Sequence, residues 1–269
     1  MVCRILNVSR SGYYGHKDPC ESEEKEIEEK VINCFHKNKR NYGRIRLKKA
    51  LANLGIRISE CKIARILKAH GLRAKDGRTA NPKNSAQKPD EKQYIEENLI
   101  KNKFAVKQAN YLWCSDITEL RCISGKLYLC GIIDVATRRI VGWSINRHQR
   151  KSLVHQAIRM AVGKNPQRPI GAVFHSDRGS QYTALSTKAM VERYGFRKSM
   201  SRPGRPNDNQ PIESFWHTLE VELPDISKMR FNEASRTIVN YIEMYFNSLR
   251  IHSGIGYSVP NDYFVNLTL

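Results

Sequence analysis

Apolar residues follow two rhythms along the chain, and the change from one to the other divides it. Over residues 23–71 they recur at steps of three and four, the period of helices with one buried face. In "EEKEIEEKVINCFHKN" Ile27, Val31, Cys34 and Phe35 share a face opposite Glu and Lys, and Glu26 and Lys30 form an i,i+4 pair. In "GRIRLKKALANLG" Ile45, Leu47, Leu51 and Leu54 are the apolar positions and Gly55 is the expected stop. "SECKIARILKAHG" repeats the pattern with Ser59 as N-cap, Ile63, Ile66 and Leu67 inward, and Gly71 at the end. Three short helices are expected, forming a small bundle.

Further along, strand patterns take over. "NYLWCSDITEL" is followed by "KLYLCGIIDVATRRIVGWSI", in which two β-rich runs flank the polar turn Ala136 to Arg139, the signature of a hairpin. "SLVHQAIRMAVG" is helical, "IGAVFH" a short buried strand, "ALSTKAMVERYG" a helix and "FRKSMS" another strand. The order is β, β, β, α, β, α, β and then helices, among them "YIEMYFNSLR" with Ile242, Tyr245, Phe246 and Leu249 at helical spacing. An α/β domain preceded by a small all-helical region is expected. Residues 75–93 contain no large apolar residue and two prolines, and read as a linker. The expected division is 1–20, half of a helix-turn-helix or a frayed terminus; 21–74, a helical DNA-binding domain; 75–105, a linker; and 106–269, the α/β core. The opening "VCRILNVSRSGYY" looks like a helix-turn-helix cut in half, which suggests a truncated frame or one joined to an upstream product.

Charge sharpens the first region. The 269-residue chain holds 46 Lys and Arg against 26 Asp and Glu, a net charge of +20, which favours a polyanion through counterion release. Residues 31–88 alone carry 16 Lys and Arg against two acids, Glu60 and Asp76. Lys62, Arg65 and Lys68 recur every three residues on the outer side of the third helix, the candidate recognition helix; a solvated basic face is the alternative. Arg44, Arg46 and Lys48 on the preceding helix are further candidate DNA contacts. The seven cysteines form no CxxC pair and follow no apolar signal segment, which points to reduced thiols in a cytoplasm, and no run reaches the roughly 18 apolar residues of a membrane helix.

Three acids stand where an apolar element stops or turns: Asp116 in "WCSDIT", Asp177 after "AVFHS" and Glu213 in "PIESFW". If the strands that carry Asp116 and Asp177 are neighbours, the two lie side by side and a helix can bring in Glu213. Three anionic groups pressed together repel, and a divalent ion resolves the conflict. Carboxylate oxygens suit Mg²⁺ or Mn²⁺, and two such ions about 3.5 to 4 Å apart would stabilise the attacking and leaving oxygens of a phosphodiester displacement. His175 and His217 could join Asp177 and Glu213 as a zinc set, although packing or DNA contact suits both histidines better. Asp134 and Asp208 read as turn-capping residues, and Arg178 and Gln181 as phosphate contacts or turn caps.

Asp177 and Glu213 are separated by 35 residues. With this spacing, "NYLWCSDITEL", "LYLCGIIDVATRRIVGW", "FHSDRGSQYT", "SMSRPG", "ESFWHTLEVEL" and "YIEMYFNSLRIHSGIGYSVPNDYF", in that order, resemble the orfB-type DDE transposases of bacterial insertion sequences, the insertion-sequence-three group within the retroviral integrase superfamily. "NYGRIRLKKALANLGIRISECKIARILKAHGL" resembles that group's helical DNA-binding segment. The resemblance implies an RNase H-like fold with a mixed five-stranded sheet, and Asp116, Asp177 and Glu213 as catalytic residues holding two Mg²⁺ ions. Water would be activated for cleavage at the element's end, and the resulting 3′-OH for attack on target DNA. It implies a homo-oligomer on DNA, an upstream-frame (orfA) product as a partner, and action in the bacterial cytoplasm at the nucleoid. Glu220 stands where the group usually has Lys or Arg, seven residues after Glu213, and Gln210 and Arg205 replace its more usual Ala and Asn. A DNA-binding remnant without catalysis and an RNase H-type nuclease are the alternative readings.

Overall fold

The computed structural model describes residues 21–75, 94–101 and 104–268. The expected half motif at 1–20 lies outside the described residues. The chain divides into two compact units, Met1–Lys75 and Asp76–Leu269.

In the first unit three helices pack together: α1 (Glu21–Lys37), α2 (Arg44–Asn53) and α3 (Glu60–Ala69). Their shared core is Val31, Phe35, Leu47, Leu51 and Ile63, all fully buried, closed by Ile66 and Leu67. The Ser59 hydroxyl accepts a hydrogen bond from the Lys62 amide and caps α3, as its position before the apolar run requires. Gly55 and Gly71 follow α2 and α3 at φ of 79° and 63°, left-handed values that favour glycine. Glu26 and Lys30 pair at 2.6 Å. Ile45 and Leu54 differ from expectation: both are exposed, at 46% and 65%, because the stripe that faces the bundle is only wide enough for Leu47 and Leu51.

The second unit is built on a five-stranded sheet of order β3-β2-β1-β4-β5. Its strands are β1 (Leu112–Cys122), β2 (Gly125–Asp134), β3 (Ile140–Asn146), β4 (Val173–Ser176) and β5 (Arg197–Met200). The first three form an antiparallel meander, while β4 and β5 run parallel to β1, so the sheet is mixed and RNase H-like. Parallel pairing requires crossovers. Helix α4 (Lys151–Lys164) connects β3 to β4, and the short helix α5 (Ser180–Thr183) with α6 (Leu185–Arg193) connects β4 to β5.

Side-chain alternation sends the two faces of β1 into separate cores. Trp113 packs with Phe174, Leu153, Val154 and Ala157 under α4, while Leu112 and Cys114 face a second cluster. That second cluster is covered by α7 (Gln210–Glu222), α8 (Phe231–Asn240) and the π turn Tyr241–Phe246; the last helix is α9 (Pro260–Thr268). Leu249, expected inside, is 65% exposed. A π turn closes i→i+5 bonds rather than i→i+4 and so adds a residue to the turn, which rotates later positions away from the phase that an α-helical period assigns.

The Asp134 carboxylate accepts hydrogen bonds from the Thr137 amide and hydroxyl and from the Asn110 amide, closing the β2–β3 turn as expected. The expected linker 75–105 is described only in part. Residues 94–101 are part of the second unit and are held against its core: the Met200 amide donates to the Glu97 carbonyl, Asn98 donates to Asp208, and Ile100 is buried.

Candidate active site

The pairing of β1 with β4 sets the site. Its parallel register runs from Leu112 opposite Val173 to Ser115 opposite Ser176, and β4 ends there. The next residue on each strand is a carboxylate, Asp116 and Asp177, so the two stand side by side where the sheet opens. The Asp177 carboxylate accepts from the Gly179 amide at 3.0 Å, and the following Arg178 donates its Nε to the Ser201 carbonyl at 2.8 Å. Gln181 is buried and donates its side-chain amide to the Gln149 carbonyl at 2.9 Å. Arg178 and Gln181 both brace the loop after β4.

Glu213 arrives on α7, whose inner face of Ile212, Phe215, Trp216 and Leu219 is buried while Glu213 and Glu220 lie outward. Three contacts fix this helix. The Asn209 side-chain amide donates to the Ser115 carbonyl at 3.0 Å, tying the helix start to the residue before Asp116. One turn beyond Glu213, the Trp216 indole N–H donates to Asp116 Oδ2 at 2.9 Å. At the far end Arg250 grips the Glu222 carboxylate through Nε at 2.8 Å and Nη2 at 2.7 Å, and Tyr241 donates to it at 3.0 Å, all three buried. Opposite Asp116 in the register is Gly131, where a Cβ would come within 2.7 Å of the Trp216 ring. Only glycine lets α7 lie this close to the sheet.

Behind the acids, Tyr182 of α5 packs in the core on the Trp113 face of the sheet. Its hydroxyl is 2.8 Å from that of Ser115, which also donates to the Gly131 carbonyl at 3.0 Å. This buried network joins the loop after Asp177 to the strand of Asp116.

The electrostatics follow from the crowding. Burial raises the Asp116 pKa well above the usual carboxylate range, and the charges of Asp177 and Glu213 add to it against the Ile117 amide and the Trp216 indole. Asp177 is raised by burial, opposed by the Gly179 amide. Glu213 is raised by desolvation, then by Asp177, then by Glu220. The three acids are thus close enough to oppose one another's ionisation. Among the described residues, no three His, Cys, Asp or Glu side chains converge closely enough to hold a metal ion as they stand.

The histidine alternative fails on geometry. His175 is fully buried between the hydroxyls of Ser199 and Ser201, at 2.8 and 3.1 Å, and burial pushes its pKa down to about 4. It is a neutral packing residue and points no nitrogen at Asp177. Asp208 is spent on Arg202, whose Nε and Nη2 each approach it at 2.8 Å, and on Asn98, so it locks the loop before α7.

In the helical unit the candidate DNA contacts are divided. Glu60 is 3.8 Å from Arg44 and 3.3 Å from Lys48, and Lys62 pairs with Glu24 at 3.0 Å. Arg65 and Lys68 are exposed on α3, and Arg46 is half-buried on α2. Trp216, Tyr182 and Asn209 were not singled out as site residues by sequence. The available signal for Trp216 was its place one helical turn after Glu213, since an indole N–H is a hydrogen-bond donor that rarely stays unpaired when buried.

Sequence comparison bears on the same elements. The family described as "Integrase core domain" matches residues 106–206, a second integrase core family matches 194–260, and an "HTH-like domain" matches 21–78. The transposase of insertion sequence element IS904 from Lactococcus lactis is 36% identical over 92% of this chain and 98% of its own length. The 31 kDa protein of insertion element IS600 from Shigella sonnei is 37% identical over 96% of each. The chain belongs to the IS3 family of insertion-sequence transposases. Transposase InsF of IS3A from Escherichia coli K12 is 33% identical over 97% of this chain and 92% of its own. The chain is accordingly a DDE-type polynucleotidyl transferase that acts on DNA in transposition. Among solved structures, a simian T-cell lymphotropic virus intasome bound to a PP2A regulatory subunit aligns with 81% of this chain and 70% of its own at 16% identity and a TM-score of 0.49. The HTLV-2 integrase catalytic core with magnesium aligns with 58% of this chain and 97% of its own at 14% identity and a TM-score of 0.43.

Proposed function

We propose that this chain cuts DNA at the ends of its insertion sequence and joins the freed 3′-OH to target DNA, with Asp116, Asp177 and Glu213 as the catalytic carboxylates. One observation supports this most: the β1–β4 register puts Asp116, within β1, beside Asp177 just past the end of β4, and Glu213 on α7 opposes the ionisation of Asp116. The donor set fits Mg²⁺ or Mn²⁺, since it consists only of hard carboxylate oxygens and His175 is turned into the core. Two such ions, when bound, would supply Lewis acidity at the attacking and leaving oxygens. A small rotation of the three side chains toward one another is part of the proposal. Trp216 and the Ile117 amide oppose the rise of the Asp116 pKa, and the Trp216 indole orients its carboxylate, while the Gly179 amide does both for Asp177.

The unit at 21–74 would grip DNA through Arg44, Arg46, Lys48, Lys62, Arg65 and Lys68, and 75–105 would link it to the core at 106–269. On this reading Glu60 and Glu24 hold Arg44, Lys48 and Lys62 until phosphate replaces them. Arg178 and Gln181 shape the loop at Asp177. A second copy of the chain and an upstream-frame product complete the assembly, because two element ends must be joined, and the work is done on DNA in the bacterial cytoplasm.

The test uses labelled duplexes carrying the element ends, purified protein and Mn²⁺, with Asp177→Asn and a metal-free control. Metal-dependent nicking and joining are expected, lost in Asp177→Asn with DNA affinity about unchanged. Joining by pure Asp177→Asn protein would remove Asp177 from the site. Tight binding without product from wild-type protein would favour a DNA-binding remnant, a reading to which the repulsion of Glu213 by Glu220 lends weight.

A further inference from the structure

At the far end of the meander from the acids, the β1–β2 turn, the end of β3 and the start of α8 enclose a groove of about 540 Å³. The Phe231 amide donates to the Ser124 hydroxyl at 3.2 Å, and the Ile123 amide to the Met229 carbonyl at 3.0 Å, so the turn and the helix are held together. Three arginines line the groove, Arg147 just after β3, Arg230 at the N-cap of α8 and Arg236 within α8. All three are exposed, and none is in an ion pair among the described residues. The Arg147 guanidinium lies 4.3 Å from the centre of the Phe231 ring, which orients it without neutralising it. Glu233 is the single acid in the lining.

Three unpaired guanidinium groups around a polar groove cost electrostatic self-repulsion that an anion relieves, and the planar fork of arginine matches phosphate oxygens in pairs. We propose that this groove is a second DNA contact on the catalytic unit, taking the phosphodiester backbone of duplex lying across the sheet. It rests on the transposase reading and adds a site to it. Cys122, at the groove end of β1, is six strand positions from Asp116, roughly 20 Å at about 3.3 Å per residue. With one phosphate of each strand per about 3.4 Å of duplex axis, the groove would meet backbone about six nucleotides from the reacting phosphate.

The experiment compares full-length wild type, Arg236→Gln, the double variant Arg230→Gln/Arg236→Gln, and Arg193→Gln on the exposed side of α6 as a charge control. Duplex affinity is titrated against salt, with thermal melting to confirm the fold. Each groove arginine removed should lower the slope of log K against log salt by about 0.9 and weaken binding several-fold at low salt, with little change for Arg193→Gln. A neutral methylphosphonate about six nucleotides from the reactive end should weaken wild type and not the double variant. Unchanged slopes, or an equal change for Arg193→Gln, would overturn the groove and leave the transposase reading standing. If the variants lose only polyglutamate binding, the groove takes an acidic peptide and the proposal is wrong. Failure of wild type to bind duplex at all would remove both.

Discussion

Trp216 shows how much one side chain does at this site. Its ring covers Gly131, and its N–H is aimed at the Asp116 carboxylate on the strand that Gly131 faces. The same residue therefore sets the spacing between α7 and the sheet and the direction in which one proposed metal ligand points. Partners that orient ligands in this way typically change metal affinity by about 10- to 100-fold when removed. Trp216→Phe keeps an aromatic ring, though a smaller one, and deletes the donor. The variant should fold, bind duplex DNA as wild type does, and need at least about tenfold more Mn²⁺ for half-maximal joining, with direct Mn²⁺ binding weakened in parallel. A lowered melting temperature with the same metal requirement would make Trp216 a packing residue only.

At the scale of the element, α7 is a rigid arm clamped at both ends, by Asn209 on Ser115 and by Glu222 on Arg250 and Tyr241. Between the clamps Glu213 and Glu220 lie two turns apart on the outward face, and Glu220 adds to the forces that hold the Glu213 pKa above its ordinary value. A carboxylate here repels both the acid beside it and any phosphate that approaches. Glu220→Lys reverses both effects. It should strengthen binding to duplexes carrying the element ends several-fold at low salt, with a steeper salt dependence, because one more phosphate is neutralised. Equal or weaker binding across the titration would show that this part of the helix does not face DNA.

For the whole molecule, the three proposed catalytic carboxylates and the buried His175 pull stability in opposite directions with pH. Asp116, Asp177 and Glu213 have raised pKa values in the folded state, so their stabilising contribution is present below the unfolded carboxylate pKa and is lost as pH rises through the raised values. His175, held down at about 4, contributes stability above its unfolded value that is lost as pH falls toward 4. At pH 8 the acids therefore cost stability that a bound cation would return. Asp177→Asn should melt several degrees higher than wild type in chelator at pH 8. Mn²⁺ should raise wild type by several degrees at pH 8, much less at pH 5, and hardly raise Asp177→Asn; about 1 kcal/mol corresponds to roughly 2–4 °C in a domain of this size. An equal Mn²⁺ effect on the variant would place the bound ion elsewhere.

What could be read from sequence follows the range over which each feature is decided. Helix stripes, the Ser59 cap, the glycine stops and the β2–β3 turn depend on residues within a few positions of one another, and each was legible. The three acids were legible as a set because each interrupts an apolar run and because their spacing is that of a known family. Ile45, Leu54 and Leu249 were misjudged because period alone assigns a face, while the width of the packed stripe and a π turn decide whether that face meets a partner. The part played by residues 94–101 was hidden for the same reason: Asn98 and Ile100 are held by groups far along the chain. The sequence by itself determined the element types, their order along the chain, the basic character of the helical region and the three candidate acids, all local or additive properties. Only the tertiary structure decided that Asp116 and Asp177 are neighbours, that Trp216 holds the first of them, that His175 is turned away, and that three arginines near β3 and α8 share one groove. Those facts depend on strand register and helix docking, where residues about a hundred positions apart meet, and no local pattern encodes such a meeting.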